Sequence, residues 1–350
     1  MKLPVLKIRN LESRFPVIQA GMGIHIGSAA LAAETVNLGG FGTIASVGLG
    51  DKEKGKYNMG RVNAEALRQE IDLAKRRCAG KKPLGVNIMT VLSDYQDFVQ
   101  TSIEAKVDYI ISGAGLPLKL PEYVGNADIA LIPVISGGRA LELILKIWSR
   151  KYNRLPDAVI VEGPRNGGHL GFSAEQLAHP ETCSLEILLQ EVKDVVKRYD
   201  CAGMPVIGAG EVACRRDIEK MLQTGYEGVQ IGTHFICSEE AGIAKESKEV
   251  YVHAKPEDIV VIKSPVGLPV RVLKTPLVER VMAQKKENFT CYYHCLKSCN
   301  PEKSQFCIAR ALIATWSGDV EHGLYMCGMN VGKCTRIYPL KDFFATLEDD

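Results

Sequence analysis

Between residue 16 and about residue 235, the sequence repeats one pattern eight times. A short apolar or β-branched run ends in Gly, Ser or Asn, and a longer stretch with helical spacing follows. Runs such as Ala158-Val159-Ile160-Val161 are typical of strands that helices cover on both faces of a parallel sheet. The eight predicted strands lie at 16–20, 41–46, 84–89, 109–113, 131–135, 158–162, 205–209 and 228–232.

The stretches between the strands predict amphipathic helices. Residues 139–151 and 184–199 each place their apolar side chains on one stripe, and Ser184 is a candidate N-cap. Eight such units favour a (β/α)8 TIM barrel. The alternative is an open Rossmann-like sheet, but Gly21-Met22-Gly23 offers only a fragment of the glycine-rich turn that opens its first helix.

The domain prediction is a barrel over residues 1–240 and a C-terminal extension over 241–350. The extension contains a Cys-rich segment, and no Gly/Ser-rich linker separates it from the barrel, so we expect it to pack on the barrel. The net charge of +2 gives no reason to expect nucleic acid or a membrane as partner. No secretory signal or membrane-spanning apolar stretch is evident, and the cytoplasm is the default location.

Candidate binding residues follow from the rule that barrel sites lie at the C-terminal ends of the strands. Small or polar residues occupy most of these ends, and glycine there allows close approach of a flat or phosphorylated ligand. The loops after the seventh and eighth strands are a frequent phosphate site, although their glycines could equally serve only tight turns. The candidates are Ala20, Gly21, Met22, Gly23, Asn87, Ser136, Glu162, Gly167, Gly168, Gly208, Ala209, Gly210, Gly232 and Thr233.

His169 is the candidate catalytic residue. It ends the loop after the sixth strand, and Gly167, Gly168 and Gly171 flank it, which predicts an exposed imidazole. With its ordinary pKa near 6.5, such a group suits proton transfer. The alternative is a structural histidine in the core. His25 is the next histidine that we expect near the pocket.

The cysteines are unusual in number and position. Six of the 11 fall in the last 60 residues, which in a reducing compartment indicates thiols or metal rather than disulfides. Cys291, Cys295, Cys299 and Cys307 are candidate ligands of an iron–sulfur cluster or a zinc ion. Their spacing matches neither a ferredoxin nor a zinc knuckle, so buried thiols on one helix stripe remain the alternative.

Several segments together resemble the nitronate monooxygenase family, which includes flavin-dependent type II enoyl-acyl-carrier-protein reductases. The resemblance covers residues 5 to about 280, and Gly-Gly-His-x-Gly is its most specific element. The matching segments are Gln19-Ala20-Gly21-Met22-Gly23, Gly85-Val86-Asn87, Glu162-Gly163, Gly167-Gly168-His169-Leu170-Gly171, Gly228-Val229-Gln230-Ile231-Gly232-Thr233 and Ser264-Pro265-Val266-Gly267-Leu268-Pro269.

The resemblance implies a barrel that holds FMN, with the phosphate at strands seven and eight. Met22 and Asn87 would contact the isoalloxazine, and His169 would act on the substrate. The expected activity is oxidation of nitronates or nitroalkanes with O2. An NAD(P)H-dependent enoyl-thioester reductase and a non-catalytic flavin or metal-binding scaffold are the alternatives. The expected partners are a small-molecule substrate and NAD(P)H, and a homodimer is compatible with this interpretation.

The chain departs from the family pattern at three positions. Glu211 follows Ala209-Gly210 where the family has a second glycine, and a carboxylate there would repel phosphate unless it turns away or pairs with Arg215 or Arg216. His234 replaces an arginine, and Asn166 replaces an alanine before Gly-Gly-His.

Overall fold

The computed structural model describes residues 2–50 and 59–348, with only the backbone of Met59. All eight predicted strands are present in one parallel sheet, with bounds that differ from the prediction by a residue or two. The barrel strands, first to eighth, are Val17–Gln19, Gly42–Ala45, Leu84–Met89, Tyr109–Gly113, Ala130–Ile135, Val159–Glu162, Val206–Ala209 and Gly228–Ile231.

The sheet closes on itself. Its hydrogen-bonded order runs from the second strand through the third to the eighth, and then to the first. The Gln19 N–H donates to the Phe41 carbonyl and the Phe41 N–H donates to the Val17 carbonyl, each at 2.9 Å, joining the first strand to the start of the second. The predicted (β/α)8 TIM barrel is therefore confirmed.

An N-terminal hairpin, which the repeat did not predict, closes one end of the barrel. Leu6–Ile8 pairs antiparallel with Leu11–Ser13, and Leu6, Ile8 and Leu11 pack into the apolar barrel interior. The hairpin lies at the end where the strands begin, because Leu6 lies against Gly228. The opposite end remains available for a site.

The helices follow the predicted alternation. Residues 139–151 and 184–199 form the helices Gly138–Tyr152 and Leu185–Arg198, whose apolar stripes are buried against the sheet. Ser184 stands at the N-cap position without a side-chain capping bond. The α-helices are Ala29–Asn37, Met59–Arg77, Tyr95–Glu104, Leu120–Val124, Gly138–Tyr152, Ala174–Ala178, Leu185–Arg198, Arg215–Thr224, Thr233–Ile236, Lys245–Val252, Pro276–Met282, Ile308–Ser317 and Leu340–Ala345.

The C-terminal extension folds back over the mouth of the barrel. Its hairpin, Ile259–Lys263 with Pro269–Leu273, pairs antiparallel with Gly168–His169 in the loop after the sixth barrel strand. Phe343 of the last helix packs against Phe235, with ring centroids 5.1 Å apart. Within the described ranges, no helix is long and apolar enough to cross a membrane.

Candidate active site

A cavity of about 230 Å³ lies at the C-terminal ends of the barrel strands. Both the strand ends and the C-terminal extension form its walls. Eleven of the predicted site residues line it: Ala20, Gly21, Met22, Gly23, Asn87, Glu162, Gly167, Gly168, His169, Gly232 and Thr233.

Four predicted binding residues do not line this cavity. Ser136 bonds the Gly171 carbonyl at 3.1 Å, and Ala209 belongs to the barrel interior. Gly208 makes room for a helix, since a Cβ there would lie 2.7 Å from the Met221 sulfur. Gly210 has φ +128°, a conformation that favours glycine whatever lies nearby. Packing against a helix therefore accounts for Gly208, and the backbone conformation that favours glycine accounts for Gly210.

Gly232 differs from those glycines because no protein atom requires it. A Cβ at Gly232 would meet the Ala20 Cβ at 3.4 Å and the Met22 sulfur at 3.7 Å, which are ordinary contacts. Its φ of −113° lies outside the left-handed region that favours glycine. A side chain at this position would occupy space at the cavity wall. The missing Cβ therefore leaves that space for a ligand.

Ser46 supplies a second indication of a bound group. It lines the cavity at the end of the second strand, it is 1% exposed, and its hydroxyl has no hydrogen-bond partner among the described residues. A buried unsatisfied hydroxyl costs free energy, about 1–3 kcal/mol. A polar ligand in the cavity would remove that cost. The strand-end pattern pointed to this position, although Ser46 was not among the predicted binding residues.

His169 is held between the barrel and the extension. Its Nε2 lies 2.9 Å from the Ser264 hydroxyl, which also accepts the Val266 N–H at 3.2 Å. Nδ1 has no protein partner among the described residues. The prediction of an exposed imidazole with an ordinary pKa is wrong, because His169 is half-buried and desolvation lowers the pKa of the imidazole to about 4. The imidazole is neutral at neutral pH.

Glu162 is a half-buried carboxyl group at the end of the sixth strand. Burial raises its pKa to about 7, and a hydrogen bond from Asn166 opposes that rise. No lysine or arginine lies among the described residues that line the cavity. Glu162 and Asp94 are the carboxyl side chains among them, so the protonation state of Glu162 changes the charge that a ligand meets there.

The departures at Glu211 and His234 have structural explanations. Glu211 pairs with Arg165, at 3.3 Å, rather than with Arg215 or Arg216. His234 stacks on Tyr338, with ring centroids 5.1 Å apart, and burial lowers its pKa to about 4. Arg165 thus offsets the negative charge of Glu211. His234, which is neutral at neutral pH, does not supply the positive charge of the arginine that it replaces.

The apolar roof of the cavity comes from the extension, and the sequence patterns did not predict it. Helix Ile308–Ser317 contributes Ile308 and Leu312, and the segment before it contributes Leu296. A hydrogen bond from the Ser93 N–H to the Cys295 carbonyl, 3.0 Å long, holds that segment over the loop after the third strand.

The four candidate metal-ligating cysteines do not form a metal site in the described structure. Within the described ranges, no three His, Cys, Asp or Glu side chains are grouped so that they could hold a metal ion. Cys295 lines the cavity, and burial together with the neighbouring thiols raises its pKa to about 12. The structure shows all four as free thiols.

Comparison with known proteins shows the family of this chain. The family model described as "Nitronate monooxygenase" matches residues 6–350. The chain belongs to the nitronate monooxygenase family. Its enzymes are flavin-dependent oxidoreductases, and the cavity residues described above fit a flavin: Gly232 leaves space in the wall, and Ser46 offers an unsatisfied hydroxyl.

Family members with related sequences carry different names. A "Probable nitronate monooxygenase" of Staphylococcus saprophyticus is 28% identical over 313 residues, covering 80% of this chain and 81% of that protein. A "(3aS,4S,5R,7aS)-5-hydroxy-7a-methyl-1-oxo-octahydro-1H-indene-4-carboxyl-CoA dehydrogenase" of Mycobacterium tuberculosis is 29% identical over 281 residues, covering 80% of this chain and 68% of that protein.

Solved structures of the family superpose over nearly the whole chain. FabK from Thermotoga maritima has a TM-score of 0.75 and 28% identity, covering 95% of this chain and 91% of that one. Nitroalkane oxidase from Streptomyces ansochromogenes has a TM-score of 0.73, covering 96% and 95% of the two chains. At 18% identity the second likeness supports the fold alone.

Proposed function

We propose that this family member binds FMN and oxidises nitroalkanes or their nitronates with O2. The observation that carries the proposal is the position of His169. A neutral imidazole lines a cavity with glycine-lined walls and an apolar roof; Ser264 holds its Nε2, and its Nδ1 has no partner among the described residues. That arrangement suits a small carbon acid with an alkyl chain.

Residues at the C-terminal ends of several barrel strands would hold FMN. Gly232 and Thr233 at the eighth strand, with the nearby Gly210 at the seventh, would meet the phosphate, and Met22 and Asn87 would contact the ring. FMN supplies the redox chemistry when bound, by accepting electrons from the substrate and passing them to oxygen. This assignment remains a proposal for each residue.

His169 would handle the proton. A base at Nδ1 requires the tautomer in which Nε2 carries the hydrogen and donates it to the Ser264 hydroxyl. The proton of a nitroalkane lies on the carbon next to the nitro group, and Nδ1 would accept it. The apolar residues Leu296, Ile308 and Leu312 would cover the alkyl chain and limit access of water.

Two measurements test the proposal directly. The purified protein should show the absorption bands of an oxidised flavin, and acid should release FMN, identified by mass. In air-saturated buffer, the protein should then consume oxygen when ethyl nitronate or nitroethane is added. A colourless protein that rejects added FMN would support the scaffold alternative. A flavin-loaded protein that consumes oxygen with neither compound would contradict the nitronate activity.

An enoyl-thioester reductase is the second candidate, favoured by the 28% identity with FabK and by the apolar roof. NAD(P)H should then bleach the flavin rapidly without oxygen, and crotonyl thioester should restore the colour. Slow bleaching, together with rapid reduction by nitroethane, would favour nitroalkane oxidation. A role for NAD(P)H, a homodimer and a cytoplasmic location remain predictions, the last supported by the eleven free cysteines.

A further inference from the structure

Residues 325–330, here called the strap, extend the small sheet that carries His169. The Leu273 N–H donates to the Tyr325 carbonyl at 2.8 Å, and the Cys327 N–H donates to the Arg271 carbonyl at 3.3 Å. Met326 also lines the cavity. One end of the strap is thus part of the sheet beside the site.

The other end of the strap crosses the loops after the sixth, seventh and eighth barrel strands. The Gly328 N–H donates to the Thr233 hydroxyl at 2.9 Å, and the Met329 N–H donates to the Arg165 carbonyl at 3.1 Å. The Asn330 side-chain amide donates to the Val212 carbonyl at 3.2 Å. Three successive strap residues therefore each bind a different loop.

The packing between the strap and the sixth loop is tight. A Cβ on Gly167 would lie 2.6 Å from the Cys327 carbonyl carbon and from the Gly328 nitrogen. Glycine at this position is therefore required by the strap. The sequence predicted that Gly167 allows a ligand to approach the backbone. The structure shows that its missing Cβ also allows the strap to pack against this loop.

The strap contacts lie where a barrel of this type commonly binds a phosphate group. Barrels often bind phosphate between the loops after strands seven and eight, and the strap spans these two loops. Because the Thr233 hydroxyl accepts from Gly328, its own proton remains available for another acceptor. Arg165 and the buried Arg271, which donates to the Asn166 carbonyl, place two cations beside the same loops.

We propose that the strap braces the three loops of the flavin phosphate site from behind, and that flavin binding and strap docking stabilise each other. The inference rests on the FMN binding proposed above. The strap orients the Thr233 hydroxyl and fixes the spacing of the three loops. A change that detaches the strap from these loops therefore lowers the affinity for FMN. By linkage, bound FMN must stabilise the docked strap by the same free energy.

Asn330→Ala tests the first half of the proposal. Asn330 does not line the cavity, and its replacement removes the bond to the Val212 carbonyl. The affinity for FMN, measured by quenching of flavin fluorescence on titration of the apoprotein, should fall about three- to tenfold, the effect of one hydrogen bond. The matched control is Lys333→Ala, which removes an exposed ion pair with Asp217 just beyond the strap and should change affinity less than twofold.

Hydrogen exchange on the unmodified protein tests the second half and needs no variant. FMN should slow exchange of the Gly328 and Met329 amides. The Lys303 amide, which donates to Asn300 elsewhere in the extension, should exchange at an unchanged rate. Unchanged exchange in the strap, or Asn330→Ala affinity within twofold of wild type, would overturn the inference. If the strap results are negative but a Gly232→Val variant loses FMN, the inference about the strap is wrong and the proposed function stands. If the wild-type protein binds no FMN, the proposed function itself is wrong.

Discussion

The Nε2 atom of His169 lies 2.9 Å from the hydroxyl of Ser264, a residue 95 positions further along the chain. His169 belongs to the loop after the sixth barrel strand, and Ser264 belongs to the turn of the extension's hairpin. The imidazole is thereby oriented from outside the barrel, and Nδ1 has no partner among the described residues.

Ser264→Ala should reduce kcat/KM for nitroethane about tenfold while FMN content stays at the wild-type value. The reason is that the imidazole loses the partner that fixes its orientation and tautomer. Steady-state oxygen consumption measures the effect, and Ser264→Thr, which keeps a hydroxyl, should restore part of the loss. An alanine variant with full activity would show that the contact does not position His169.

His169→Asn should keep both fold and flavin, and should lose about 10²–10⁴-fold in kcat/KM on nitroethane, the usual contribution of a positioned acid or base. With preformed ethyl nitronate, where no proton needs to be removed, the loss should be much smaller. Parallel assays with the two substrates provide the comparison. Equal losses on both would indicate that His169 acts in binding rather than in proton transfer.

Glu162 should make binding of an anionic nitronate depend on pH. Its pKa of about 7 means that the carboxyl is neutral below pH 7 and charged above it. Since no lysine or arginine lies among the described residues of the cavity wall, KM for ethyl nitronate should rise as pH increases through 7. His169, with a pKa near 4, should add no inflection between pH 5 and 8. Glu162→Gln should give a flat KM profile over this range.

Gly232→Val should abolish FMN retention without unfolding the protein. A side chain there finds only ordinary contacts with Ala20 and Met22 and would occupy the cavity wall. The ratio of flavin to protein absorbance in the purified variant measures retention, and circular dichroism checks the fold. The control is Gly203→Val, because Gly203 has no heavy atom near its Cβ position and φ outside the left-handed region. Full flavin occupancy in the Gly232 variant would refute the phosphate placement.

Cys295 should react slowly with iodoacetamide at pH 8, because its pKa of about 12 leaves little thiolate. Cys214, which is exposed, should be alkylated much earlier. Mass spectrometry of the labelled peptides gives both rates. If a chelator accelerated labelling of Cys295 and released iron or zinc, the metal interpretation of Cys291, Cys295, Cys299 and Cys307 would replace that of free thiols.

The barrel could be predicted because its evidence is local. Each strand is a short apolar run, each helix has one apolar stripe, and eight repeats of that unit leave few other ways to bury both faces of the sheet. The strand-end rule then placed Asn87, Glu162 and Gly232 at one mouth without any structure. The repeat did not show that residues 6–13 close the other end, since an eight-residue hairpin has no periodicity that indicates its partner.

The sequence by itself determined the fold of the barrel, the residues at its mouth and the family. Only the tertiary structure showed that the extension folds back over that mouth, where it binds His169 through Ser264, roofs the cavity with Leu312 and lays the strap over Thr233. It also showed that Glu211 pairs with Arg165, and that desolvation of His169 moves the pKa of the imidazole away from its ordinary value. These features depend on contacts between segments far apart in the chain, and burial is set by what packs above a residue rather than by its neighbours in sequence.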